Sequence, residues 1–102
     1  MSGAIVGSTT GATTAVSATV QGRVQGVGFR YACYHEARRL SLCGWVRNTD
    51  SGAVKVWAEG PREKLEALLR WLRQGPPGAR IDRLDYSLQS PAGRYREFTI
   101  EL

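Results

Sequence analysis

Cysteine, histidine and lysine are scarce in this chain of 102 residues, which has two Cys, one His and two Lys. Cys33 and Cys43 are too few for a disulfide scaffold, and a zinc site takes about four clustered ligands. Both are read as reduced thiols of a cytoplasmic protein. On a helix, His35 and Cys33 stand two residues apart and so do not share a face. Neither cysteine has a histidine partner in its segment, so thiol nucleophilic catalysis is not indicated; both read as small core fillers and His35 as a surface residue. No metal site is expected.

Long apolar runs are missing too, and no stretch approaches the roughly 18 residues of a membrane-spanning helix. Residues 1–15 carry no charged side chain, and Gly, Ser and Thr interrupt their apolar residues. Without a basic start and a continuous apolar segment they are not a secretory signal, and they read as a flexible leader before a single domain over residues 16–102. Charge is lopsided, with Arg far outnumbering Lys, a formal net charge of +5 and a pI near 9.8. That balance favours an anionic partner, for which phosphate and nucleic acid both qualify.

From Val16 the pattern alternates, Val16, Ala18 and Val20 on one side and Ser17, Thr19 and Gln21 on the other, as in a half-buried strand. The strand runs into Gly22-Arg23-Val24-Gln25-Gly26-Val27-Gly28-Phe29-Arg30, after which Phe29, Cys33, Ala37 and Leu40 recur at helical spacing. Leu42–Asn48 and Ala53–Glu59 are β-rich runs joined by the turn-forming Thr49-Asp50-Ser51-Gly52. Gly60-Pro61 predicts a second helix with Pro61 in its first position and Leu65, Leu68, Leu69 and Leu72 as its apolar stripe. Gly75-Pro76-Pro77-Gly78 ends it. A strand over Arg80–Leu88 follows, and a last one places Phe98, Ile100 and Leu102 on one face. Two helices on one face of a mainly antiparallel sheet bury both stripes, which predicts a ferredoxin-like βαββαβ sandwich of the α+β class with a short C-terminal strand.

Chemistry concentrates in Gly22–Arg30. Between a strand and a helix, glycines let successive backbone N–H groups converge on an anion, and Arg30 adds a planar fork matched to phosphate oxygens. Many glycine-rich turns cradle nothing, so the segment by itself leaves function open. It is neither a Walker A loop, lacking Gly-Lys-Ser/Thr, nor a dinucleotide fingerprint, since Tyr31 stands where the third glycine belongs.

Gly22 to Arg30 resembles the acylphosphatase signature, and Gly44-Trp45-Val46-Arg47-Asn48 resembles that family's second block, at the family's spacing. The resemblance runs from about Val16 to Leu102. It implies hydrolysis of the carboxyl-phosphate bond of an acyl phosphate, with no cofactor and no metal. By the same resemblance Arg30 is the phosphate-binding arginine and Asn48 positions the attacking water; Gln25, Gly26, Val27, Gly28, Phe29 and Arg30 form the cradle, and Thr49 supports Asn48. A monomer is expected, acting on a small molecule and on neither nucleic acid nor membrane. Domains of this kind also occur fused to larger enzymes; at 102 residues this chain is read as a free enzyme.

Where the family usually has glycine between two leucines, this chain has Leu40-Ser41-Leu42. A left-handed serine there costs up to about 1–2 kcal/mol in stability. The competing reading is an RNA-recognition module with the same element order. It needs aromatics stacked on the sheet, and Ala53–Glu59 lacks the Gly-Phe consensus such domains use. Trp45, Trp57 and Trp71 are read as sheet and core packing, and the helical arginines as solvated faces, with Glu66 and Arg70 paired at i, i+4.

Overall fold

A computed structural model describes residues 13–102. In chain order the elements are β1 (Thr13–Arg23), α1 (Phe29–Arg39), β2 (Cys43–Asn48), β3 (Val54–Pro61), α2 (Arg62–Leu72), β4 (Arg80–Gln89) and β5 (Phe98–Ile100). The strands form one sheet in the order β4-β1-β3-β2-β5. Every pairing is antiparallel except β2 with β5. This is the expected ferredoxin-like sandwich with its added strand.

The alternation in β1 does what its pattern predicts: Val16, Ala18 and Val20 are buried against the helices, joined by Val54, Val56 and Ala58 of β3. From α1 come Phe29, Cys33 and Ala37, and from α2 Leu65, Leu68, Leu69 and Leu72. Each fully buried Leu contributes roughly 1.5–3 kcal/mol from removal of apolar surface. Trp71 packs its ring against Phe29 at 5.5 Å.

Four boundaries and pairings differ from expectation. β1 begins at Thr13, so Thr13, Ala15 and their neighbour pair with Glu59–Pro61 instead of belonging to a leader; residues 1–12 lie outside the described residues. Small uncharged residues look linker-like in sequence, yet Ala15 is fully buried here. Pro61 is extended and caps α2 from outside, because it is still paired in the sheet with Thr13. β5 ends at Ile100, and Leu102 is fully exposed instead of continuing its face. Glu66 pairs with Arg62 one turn before it, not with Arg70.

α1 ends in a full Schellman cap. The Leu42 amide donates to Ala37 at 2.9 Å and the Ser41 amide to Arg38 at 3.0 Å. Ser41 takes φ 59°, the only positive φ outside glycine among the described residues, so the cap keeps its left-handed geometry with a serine in the glycine position.

The sheet face away from the helices carries Trp45 and Trp57, directly opposed across β2 and β3. The chain leaving β4 crosses this face to reach β5 at the other edge. Its Ala92 and Gly93 amides donate to the Glu59 carboxylate at 2.8 and 3.3 Å, and the Trp57 indole N–H donates to the same group at 2.6 Å. The Trp45 indole donates to the Tyr95 hydroxyl at 3.0 Å. Burial alone would raise the Glu59 pKa; the three hydrogen bonds and the Arg94 charge outweigh it and hold the carboxyl below its ordinary value.

Candidate active site

The site lies where β1 and β2 both end. After Arg23 the chain turns through Gly26 at φ 77° and Gly28 at φ 76°, while Gln25, Val27 and Phe29 between and beside them keep negative φ. Alternating signs of φ turn successive amides toward one side, the geometry of an anion-binding nest. A Cβ on Gly26 or Gly28 would touch nothing within 4 Å, so conformation and not packing calls for glycine there. Gly28 also precedes the first turn of α1, whose initial amides have no intrahelical partner. Among the described residues no backbone carbonyl accepts from the amides of Gln25 to Arg30. The loop therefore holds a run of unspent donors at the positive end of a helix.

Arg30, in the first turn of α1, is half-buried, and its Nη1 donates to the Glu101 carbonyl at 3.1 Å. That carbonyl is placed by β5: Ile100 pairs with Val46, and the Glu101 amide donates to the Val46 carbonyl at 2.8 Å. Asn48 is the last residue of β2 and is half-buried. A pocket of about 200 Å³ is lined by Val24, Gly26, Gly28, Phe29, Arg30, Tyr31, Asn48 and Ile100. The expected arginine, asparagine and cradle glycines thus share one cavity.

Gln25, Val27 and Thr49 are not among the residues that line it. The Gln25 side chain turns from the loop to the β2–β3 hairpin, where Nε2 donates to the Thr49 and Ala53 carbonyls, both at 2.9 Å. The Thr49 hydroxyl receives the Ala53 amide at 3.1 Å and bonds the Ser51 hydroxyl at 2.9 Å. Sequence reasoning missed Val24, Tyr31, Ile100 and the Glu101 carbonyl. Tyr31 neighbours Arg30 and could have been suspected; the other end of the pocket depends on the parallel docking of β5, which no local pattern announces.

The chemistry available is that of fixed donors around an anion. Among the described residues no three of His, Cys, Asp and Glu gather as cation ligands. Both cysteines are free, Cys33 buried and Cys43 half-buried. Burial, with Glu36 nearby, pushes the Cys33 thiol far above its ordinary value. Burial and Glu59 raise Cys43 against a smaller opposing backbone hydrogen bond. Neither is poised as a thiolate.

A family model described as Acylphosphatase matches residues 16–100. The chain belongs to the acylphosphatase family. Acylphosphatase from Thermococcus kodakarensis is 49% identical over 68 residues, which span 67% of this chain and 75% of that protein. Acylphosphatase from Anaeromyxobacter sp. is 48% identical over 75 residues, spanning 74% and 81%. The crystal structure of acylphosphatase from Bacillus subtilis superposes with a TM-score of 0.84 at 34% identity, covering 87% of this chain and 99% of that one. Full-length HypF, in its phosphate- and nucleotide-bound form, matches with a TM-score of 0.82 at 30% identity, over 89% of this chain and 12% of its own. The function of the acylphosphatase family is hydrolysis of acyl phosphates.

Proposed function

We propose that this chain cleaves acyl phosphates into a carboxylate and inorganic phosphate, with the phosphoryl group held by the amides of Gln25 to Phe29 and by the Arg30 guanidinium. The observation that carries the reading is the run of unspent amides on an alternating-φ loop, of which Gly26, Gly28 and Phe29 share one small pocket with Arg30 and Asn48. Preorganised donors of this kind stabilise charge that shifts onto phosphoryl oxygens in the transition state. Asn48 holds a water in line with the scissile bond. As the water oxygen bonds to phosphorus, the bond to the acyl oxygen breaks and its electron pair leaves on the carboxylate; the water proton passes to a phosphoryl oxygen. A carboxylate is a good leaving group, so no strong general acid is required. Thr49 supports Asn48 by closing the hairpin turn.

The donor set of amides and a guanidinium supplies positive potential itself and is no set of cation ligands, which supports a metal-independent reaction with no cofactor. Free thiols suit a reducing, cytoplasmic setting, and a site complete within one chain suits a monomer. No described helix is long and apolar enough to cross a membrane, and no membrane partner is proposed. Nor is a nucleic acid: on the open sheet face both strand tryptophans have their indole N–H groups engaged, one of them by the Glu59 carboxylate, which repels phosphate.

The test is hydrolysis of benzoyl phosphate by the purified protein in EDTA, beside Arg30→Ala. Turnover in the wild type and a loss of at least about 10²–10³ in kcat/KM in the variant are expected. A folded wild type without turnover, or a variant with near-normal turnover, contradicts the reading.

A further inference from the structure

We infer that Gln25 is a positioning residue, whose side chain sets the place of Asn48 while its backbone belongs to the cradle. The inference rests on the function proposed above. Gln25 lies in the loop after β1 and Asn48 at the end of β2, strands separated in the sheet by β3. The loop and the hairpin are joined by the two 2.9 Å bonds from Gln25 Nε2 to the carbonyls of Thr49 and Ala53. Both acceptors are carbonyl oxygens, so only the NH₂ end of the amide fits, and both of its hydrogens are used.

Those two carbonyls close the hairpin turn. The Ala53 carbonyl also receives the Thr49 amide at 2.9 Å, and the Thr49 carbonyl receives the Gly52 amide at 3.2 Å. The Thr49 hydroxyl also lies within donating distance of the Ala53 carbonyl, at 3.3 Å. Gln25 adds a donor to each carbonyl from outside the turn, so a single side chain ties down both the residue after Asn48 and the residue before Val54, the β3 partner of Asn48. The phosphate-holding loop and the water-holding residue are thereby kept in one register. In-line attack is sensitive to that register, since a displacement of about 1 Å can cost about 10²-fold in rate.

Kinetics of benzoyl phosphate hydrolysis, with inorganic phosphate as competitive inhibitor, test this in Gln25→Ala and in Gln25→Met, which keeps the length and removes the donors. A fall in kcat of about 10- to 100-fold is expected in both, with the phosphate inhibition constant within about threefold of wild type, because the amides and Arg30 are untouched. Gln25→Glu presents carboxylate oxygens to carbonyls; it is expected to lose as much at neutral pH and to recover part of the loss, relative to wild type, as the carboxyl protonates near its ordinary pKa of about 4.3. Thermal melts establish that each variant folds, and if Gln25→Ala does not, the length-matched Gln25→Met decides. A kcat within twofold of wild type in the folded variants overturns the inference. So does a loss confined to KM and phosphate inhibition, which makes Gln25 a phosphate ligand. An inactive wild type would instead overturn the proposed function, so the two failures are distinguishable.

Discussion

The two ends of the sheet treat polar groups in opposite ways. Where β1 and β2 end, the amides of Gln25 to Arg30 have no carbonyl partner among the described residues, and the Arg30 fork spends one Nη1 bond on Glu101. At the other end, Glu59 is 3% exposed and accepts three hydrogen bonds, from Trp57, Ala92 and Gly93. A buried group with every partner present rigidifies the fold and offers nothing to a ligand. Donors left open around a small cavity are held ready for an anion, with the scaffold bearing the cost of keeping them unpaired. On the function proposed above, catalysis and stability occupy separate ends, and substitutions should separate them.

The largest effect expected of such a substitution is at the open end. Asn48→Ala should lower kcat by about 10²-fold through loss of the placed water. Its inhibition by inorganic phosphate should stay near wild type and its melting temperature should change little; equal loss of phosphate affinity would break the assigned division between Asn48 and the cradle. At the closed end, Glu59→Ala strands an indole and two amides, and should cost about 2–3 kcal/mol in denaturant unfolding, with kcat/KM for benzoyl phosphate unchanged once folded.

Acid should reach the closed end as well. The folded-state pKa of Glu59 lies below its unfolded value, so its contribution is fully present above the unfolded pKa of about 4.3 and is lost as pH falls through the folded pKa. The stability difference between wild type and Glu59→Gln, followed by chemical denaturation from pH 6 downward, should therefore narrow in that acid range. A constant difference would show that ionisation of Glu59 contributes nothing. The smallest effect is expected at Ser41→Gly, which relieves a left-handed serine at φ 59° and should raise stability by about 1 kcal/mol with activity unaffected.

The contrast between the two ends also marks what could be read in advance. The alternating-φ loop proposed as the cradle was legible because a nest is local: Gly26 and Gly28 alternate with side-chain-bearing residues over five positions, and Arg30 follows directly. Ser41 was legible for the same reason, as one position in a helix cap. The alternating Val16, Ala18 and Val20 and the leucine stripe of α2 announced the core through their periods. What stayed hidden depends on distant pairing. Gln25 could be placed in the loop, but the destination of its side chain is the hairpin more than twenty residues on. Glu59 stands at the end of the Ala53–Glu59 run with no local signal of burial, and the amides that bind its carboxylate come 33 and 34 residues later. Thr13–Ala15 looked like leader because small residues carry no pattern, whereas their pairing with β3 places them in the sheet.

The central claim is that open amides at one end form the anion site, and titration of ¹⁵N-labelled protein with inorganic phosphate, followed by amide NMR shifts, tests it most directly. Saturable shifts of Gly26, Val27, Gly28 and Phe29, with Ala92 and Gly93 unmoved, are the expected result. Shifts confined to residues outside Gln25–Arg30, or none at phosphate concentrations that inhibit hydrolysis, would contradict it.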